Sequence, residues 1–558
     1  MNALIPRRSF LASCAAGVLL GPSIARADDD AEAVLLENES QLFLDDHLIA
    51  SMTGLERIVH RPVKQGLIQE ANGAPWERGD APAVVRDSDG RFHLYYRFLW
   101  EDPSVRDLHE GIGNDKAHWF RRTVGYAVSD DGIRWSKPVL GLFDGPTGFR
   151  PAPREKWKDG VFQEPTGSSL QNNFGCPINQ VQDLGQFGGV SDPQQRYLVN
   201  VIYRADSHNF ADITDAGLYF AADVPDVVGN ANWRSSPTPV WEGPRRGPRG
   251  EATHVAGYDR TDNEWWVCTQ SRFGAWAGED VGRTISRFAS PDLMNWGDEQ
   301  PVLKPLPDEP RRQLDWVEYM DISAFRAGSA WIGQLVIFHS DRSSVQYQMP
   351  DPRTGKPNGV WRKGTTDVQL MVSRDAGHSW QRVGPREAWI PFHPEEDGYD
   401  RLVFSGTPVR VGDELWLYYM CFDGDHLNWN NDGTTYYKDR TRIGRIARAT
   451  LRWDGYASLR PVERKGTLVT RPLASEHRRL LLNAETGNGS VRVAVLDHDG
   501  RVIPGFALDE CVPVTGDGLA QQVRWRNVAE LPASSPERPL RLQFELVGAD
   551  LYGFQTEV

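Results

Sequence analysis

The chain has 558 residues, of which 40% are hydrophobic and 25% charged, with 20 Trp among many aromatics; this fits one large globular domain with a smaller one attached. No run nears the roughly 18 apolar residues of a membrane helix, so no membrane partner is expected. A net charge of −14 argues against a nucleic-acid partner, which would want a basic face.

The first element in chain order is an address. "PRRSFLASCAAGVLLGPSIARA" joins Arg7 and Arg8 to Phe10 and Leu11, a short apolar stretch and a small-x-small site at Ala25-Arg26-Ala27. It resembles a twin-arginine export signal over residues 1–27, with cleavage expected before Asp28. Cys14 in "LASC" precedes most of the apolar region, which speaks against a lipobox. Cleavage removes three arginines and no acids, so the mature charge is −14 − 3 = −17. The mature protein is expected to be periplasmic or secreted. Its cysteines, Cys176, Cys268, Cys421 and Cys511, are scattered without metal-ligand pairs and read as small buried hydrophobes.

Next comes an extended segment, "QLFLDDHLI" (Gln41–Ile49), with Asp45 and Asp46 read as structural. Then a strand, a polar turn and an aromatic strand recur five times: "DAPAVVRDSDGRFHLYYRF", "FGGVSDPQQRYLVNVIYR", "HVAGYDRTDNEWWVCTQSR", "ISAFRAGSAWIGQLVIFHS" and "TPVRVGDELWLYYMCF". Their turns lie near Asp89, Asp192, Asp262, Gly328 and Asp413, at gaps of 103, 70, 66 and 85 residues. The second strands are rich in Tyr, Trp, Val and Leu, as buried strands are, and helical periodicity is almost absent. A strand-rich unit repeated at this period predicts an all-β fold, a five-bladed β-propeller over residues 28–462. Residues 40–455 shared among five blades give about 83 each, against about 40–45 for a minimal blade, which leaves room for long loops. Gln41–Ile49 is expected to close the ring with the last blade.

Within the blades, "SRDAGHSW" (Ser373–Trp380) fits S-x-D-x-G-x-x-W, the Asp box, and "SDDGIRW" (Ser129–Trp135) and "SPDLMNW" (Ser290–Trp296) are looser copies. The Asp carboxylate suits backbone N–H groups, the Gly takes positive φ and the Trp packs between strands, so the turn is expected to staple the outer hairpin of a blade, away from the axis. From about Lys465 the texture changes. "RRLLLNAE", "VRVAVLDHDG" and "LRLQFELVGADLYGF" predict a small β-sandwich over residues 463–558, read as a packing module because no aromatic cluster marks a sugar platform.

The innermost strands of a propeller converge on its axis, so residues that begin each blade meet in one central pocket. Those residues are Asp80 in blade 1, Asn172 and Asn173 in blade 2, Glu251 and His254 in blade 3, Asp315, Glu318 and Asp321 in blade 4, and Asp400 in blade 5. Cleaving an acetal needs one carboxylic acid to protonate the leaving oxygen and one carboxylate to support attack, and a third carboxylate nearby tunes the acid. His426 lies in the loop after the aromatic strand of blade 5, and Trp76 and Trp100 flank blade 1, where an indole suits a sugar face.

These segments resemble the five-bladed propeller glycoside hydrolases, the group of invertases, levansucrases, arabinanases and β-xylosidases, over residues 75–425. "GDAPAVVRDSDGRFHLYYRF" is similar to their first-blade segment and implies Asp80 as nucleophile or general base. "WVEYMD" is similar to their acidic fourth segment and implies Glu318 as general acid, with Asp321 competing for that role. "RGEATHVAGYD" is similar to their Arg-Asp-Pro segment and sets Glu251 where an Asp orients the sugar. The implied activity is hydrolysis of a polysaccharide or oligosaccharide, with catalytic Asp80, Glu251 and Glu318. Asp321, His254, Trp76, Asn173, Asp400 and His426 are the candidate substrate contacts. No cofactor is required and no catalytic metal is implied; a structural Ca²⁺ at the propeller centre is compatible with the acids there. Three other readings stay open: a polysaccharide lyase with His254 as base, a sialidase-like enzyme, and a non-catalytic glycan-binding propeller.

Overall fold

The computed structural model describes residues 32–70, 79–101, 120–138, 157–158, 161–162, 178–187, 190, 196–203, 215–221, 241–242, 254–271, 282–293, 295–309, 316–340, 347–350, 357–361, 364–390, 402–405, 407–422 and 444–558. Apart from one 3-10 turn, Leu184–Phe187, their regular structure is entirely β.

Five antiparallel sheets follow one another along the chain. Blade 1 pairs Gly79–Arg86, Phe92–Glu101 and Phe120–Ser129 in order, and Val128 bridges Ser136 at its outer edge. Blade 2 runs Ile178–Asp183, Tyr197–Tyr203, Asp215–Ala221, Trp241–Glu242. Blade 3 runs His254–Asp259, Glu264–Ser271, Thr284–Ser290, Gln300–Leu303. In blade 4 the strands are Trp316–Ala327, Ala330–Ser340, Gly364–Ser373 and Gln381–Arg382. Blade 5 begins with an interrupted strand, Leu402–Ser405 and Val409–Val411, and continues with Glu414–Phe422 and Gly444–Arg452. First strands of neighbouring blades lie against each other (blade 1 on blade 2, blade 3 on blade 4), and blade 5 packs on the first strand of blade 1. The sheets therefore form a five-bladed ring with their first strands innermost.

Ala330–Ser340 shows why these sequences make blades. All eleven residues are buried, because a strand flanked by a sheet on each side has no solvent face. Trp331, Leu335 and Ile337 join the apolar layer shared with blade 3, while Ile332, Val336 and Phe338 join the layer shared with blade 5. At roughly 1.5–3 kcal/mol per fully buried large apolar side chain, such double-sided strands supply much of the cohesion between blades.

Ring closure departs from expectation. The fourth strand of blade 5 is Val63–Leu67, which pairs with Gly444–Arg452, and not Gln41–Ile49. Gln41–Leu42 pairs instead with Asp550–Glu557, and Asp45 is held by Arg374 at 2.9 Å. Ile49–Thr53 and Leu55–Val59 pair with Lys465–Thr470 and Ala457–Pro461. The second unit is thus a sandwich built from both ends of the chain. One sheet orders Asp517–Gln522, Arg479–Glu485, Asp550–Glu557, Ala457–Pro461 and Leu55–Val59, and the other orders Ile49–Thr53, Lys465–Thr470, Arg541–Val547 and Ser490–Leu496. Leu459, Leu482, Leu551 and Phe554 from the first meet Leu468, Val493, Phe544 and Leu546 from the second in one dry core. The sandwich is tied to blade 5 by Arg452, which donates to Asn483 at 2.8 Å and lies over the Tyr552 ring at 4.9 Å.

Candidate functional site

An antiparallel blade has two distinct ends. The near end is where each first strand begins and where the second strand hands over to the third. The far end carries the turns between strands one and two and between strands three and four.

At the near end, the first strands of blades 1 to 4 each carry a bulge: between Asp80 and Ala83, Ile178 and Gln180, Val255 and Gly257, and Tyr319 and Asp321. A bulge adds one residue to one strand and re-aims the side chains around it. Counting back three residues from where pairing resumes gives Asp80 in blade 1, His254 in blade 3 and Glu318 in blade 4. Three residues singled out from sequence thus occupy one register position in three blades. Asp80 and His254 are placed by this backbone register alone; the side chain of Glu318 is described.

Glu318 and Asp321 stand opposite Phe338 and Val336, which are two apart on one strand, so both carboxyl groups lie on the same face of blade 4. Each residue is 9% exposed. One oxygen of Glu318 accepts the indole N–H of Trp316 at 2.7 Å. The other faces the Arg283 guanidinium of blade 3 at 3.3 Å, with both side chains largely out of water. Arg283 also accepts the Tyr319 N–H on its carbonyl at 3.0 Å, and its guanidinium lies 5.6 Å over the Phe338 ring. A Cβ on Gly282 would lie 2.4 Å from Cγ of Glu318, so the side chain rests on bare backbone there. Asp321 accepts its neighbour's N–H, that of Ile322, at 2.8 Å.

Behind this strand the support is polar and buried. Tyr319 donates to Glu309 at 2.9 Å, and Arg382 donates to both Glu309 and the Tyr319 oxygen, at 2.8 and 3.0 Å. Burial pushes the Tyr319 hydroxyl up to about 12, so it stays protonated and bracing. His339 and Asp367, both buried, pair at 2.7 Å in the next two strands. Burial likewise pushes the Cys268 thiol up to about 12, which removes it as a nucleophile.

The far end carries the Asp boxes. Asp375 accepts from the Ser373 hydroxyl at 2.8 Å and the Ser379 N–H at 2.9 Å, and Gly377 at φ +83° donates to Ser373. A Cβ on Gly377 would lie 2.4 Å from the Trp266 ring of blade 3, and Arg287 of blade 3 donates to the Ala376 carbonyl at 2.9 Å. The blade 1 box does the same to blade 5: Gly132 sits against Trp416 and Tyr418, and the Tyr418 hydroxyl donates to its carbonyl at 2.7 Å. These two boxes therefore fasten blades 4 and 1 to the blade before each, beyond stapling their own hairpin. In the Ser290 copy, Leu293 takes the positive φ of 63° that Gly takes elsewhere. Burial works against both anions, yet the Ser379 hydroxyl and N–H hold Asp375, and the Arg134 and Ile133 N–H groups hold Asp131, below the usual carboxylate value.

Glu251, Trp76, Asn173, Asp400 and His426 lie outside the described residues, as do Asn172 and Asp315. Among the described residues one group brings metal-type ligand atoms within 4.8 Å of one another, Asp259, Asp262 and His378, at the far end where the first turn of blade 3 meets the blade 4 box. Sequence reading missed Arg283 and Gly282. Their partner is 35 residues on and in another blade, so no local motif marks them.

No protein-family model and no curated protein matches the chain. Solved structures similar to it include a protein titled "Glycoside hydrolase", at 14% identity and TM-score 0.39 over 70% of this chain and 92% of the other. A β-1,2-mannobiose phosphorylase from Listeria innocua is 12% identical, TM-score 0.37, over 74% and 96%. A thermostable family-43 glycoside hydrolase is 13% identical, TM-score 0.35, over 67% and 90%. At these values the likenesses are loose, and the five-bladed ring stands on its own strand pairing.

Proposed function

We propose that the protein is an exported glycoside hydrolase that cleaves a polysaccharide or oligosaccharide at the near end of the propeller. The observation that carries this reading is the shared register of Asp80, His254 and Glu318 beside their bulges, with Asp321 on the same face as Glu318. Acetal hydrolysis asks for two carboxyl groups converging on one bond, and the innermost strands of a ring are where residues far apart in sequence converge. The paired arginines of the leader support export to the periplasm or beyond.

The test is a screen of the purified protein against a broad glycan panel, reading new reducing ends and ultraviolet absorbance together. Reducing ends without absorbance are expected. An unsaturated, absorbing product would assign the chain to the lyases, with His254 as the base. Tight binding without turnover would make it a glycan-binding propeller.

A further inference from the structure

We propose that Asp259, Asp262 and His378 form a binding site for a divalent transition metal, zinc being the ion that fits, which clamps blade 3 to blade 4 at the far end of the ring. This goes beyond the glycoside hydrolase reading and does not rest on it.

Two carboxylates and one imidazole converge here from different blades. Asp259 ends the first strand of blade 3, Asp262 lies in the turn that follows, and His378 belongs to the Asp box of blade 4. One ligand atom of each lies within 4.8 Å of the other two. Among the described residues no hydrogen bond or ion pair joins the imidazole to either carboxylate, so the ring faces both acids across more than hydrogen-bond distance. Ligand atoms around a tetrahedral zinc, with bonds of about 2.0–2.2 Å, sit about 3.3–3.6 Å apart. Small side-chain rotations close that difference, and Asp262 and His378 are exposed, which gives them room to rotate.

The backbone beneath the three side chains is pinned. Arg287, fully buried, donates to the carbonyl of Ala376, two residues before His378, at 2.9 Å. The same guanidinium donates at 2.8 Å to Glu264, the ladder partner of Asp259. Gly377, next to His378, is seated on the Trp266 ring, and Asp259 accepts the Thr261 N–H of its own turn at 2.8 Å. Ligands carried on two turns already fixed to each other lose little freedom when an ion binds.

The donor set selects the metal. Ca²⁺ gathers six to eight oxygen ligands and Mg²⁺ also favours oxygen, whereas an imidazole beside two carboxylates suits Zn²⁺. The two carboxylates balance the charge of the ion, and the solvent side leaves its fourth position to water. Because the ligands come from two blades, the ion binds only where both turns are in place and so favours the folded ring.

The test is titration calorimetry on chelator-treated, tag-free full-length protein with zinc chloride, and separately with calcium chloride, alongside thermal unfolding with and without each metal. The wild type should bind one equivalent of Zn²⁺, at least about 10-fold more tightly than Ca²⁺. His378→Ala and Asp262→Asn should each weaken Zn²⁺ binding by at least about 10–100-fold, the factor that loss of even an outer partner of a metal ligand costs. Saturating Zn²⁺ should raise the unfolding midpoint of the wild type by roughly 2–5 °C and leave both variants where they were. Both substitutions fall on exposed turn positions, and far-UV circular dichroism matching the wild type shows that the variants have folded. A wild type without saturable Zn²⁺ binding overturns the proposal, as does undiminished binding in either folded variant. Ca²⁺ bound as tightly as Zn²⁺ would overturn the assignment of the metal, and Zn²⁺ bound without a rise in midpoint would overturn the clamp.

Discussion

At the far end of blade 4, the carboxylate of Asp375 is engaged by Ser373 and Ser379, and Gly377 is seated on the Trp266 ring. At the near end of the same sheet, Glu318 and Asp321 lie on a bulged strand, with Arg283 reaching in from blade 3, the blade before it. Both ends use acids, serines or arginines, and a glycine that lets a neighbour approach. They differ in what the acid faces. Asp375 is wrapped by its own turn, which fixes a backbone; Glu318 is held by Trp316 on its own strand and by Arg283 from blade 3, which fixes a side chain. An acidic residue is therefore read correctly only once its end of the sheet is known.

Glu318→Gln tests the difference most severely. It should remove roughly 10²–10⁴-fold of the activity found in the glycan screen, on protein whose far-UV circular dichroism matches the wild type. Gly377→Ala is the opposite case. The positive φ and the Trp266 contact should together cost roughly 2–4 kcal/mol in urea unfolding, with kcat of the folded protein unchanged. A fall in kcat for the Gly377→Ala protein would break the separation of the two ends.

The smallest effect is a pH dependence. Asp375 is held below its ordinary value of 3.8, so its contribution is present above that pH and fades as pH falls through the lower, folded-state value. The unfolding free energy of the wild type should drop more steeply below about pH 4 than that of Asp375→Asn, by at most about 1 kcal/mol, since Asp375 itself is solvent-exposed. Parallel curves for the two proteins would mean that the box works through shape alone.

Much of the fold was legible in the chain. The aromatic second strands and the polar turns before them announce five blades because a strand buried on both faces is written in Tyr, Trp, Val and Leu, as Ala330–Ser340 is. Ring closure was not legible. Gln41–Ile49 and Val63–Leu67 are both short and extended, and nothing in either names its partner; only pairing with residues 447–450 selects the second. The bulges were hidden for a related reason, since a bulge is a difference in count between two strands and exists in neither alone. For the site, the acids at the blade starts could be picked out one by one. That Asp80, His254 and Glu318 share a register position needed the ladders, and Arg283 needed the packing of blade 3 on blade 4.

The route of the first strands also governs how the protein is made. Residues 41–42 pair with 553–554, and residues 63–67 with 447–450, so the earliest segments synthesised wait for the latest. Contacts so distant along the chain form slowly, because the loop between them must be closed before they contribute anything. Until Val63–Leu67 has docked, Gly444–Arg452 presents an open edge of the kind that invites pairing with another molecule. Losing the last strand, Asp550–Glu557, would accordingly loosen more than its own sheet neighbours: it would free Gln41–Leu42 and take a neighbour from Ala457–Pro461, the strand that holds Leu55–Val59 just ahead of Val63–Leu67.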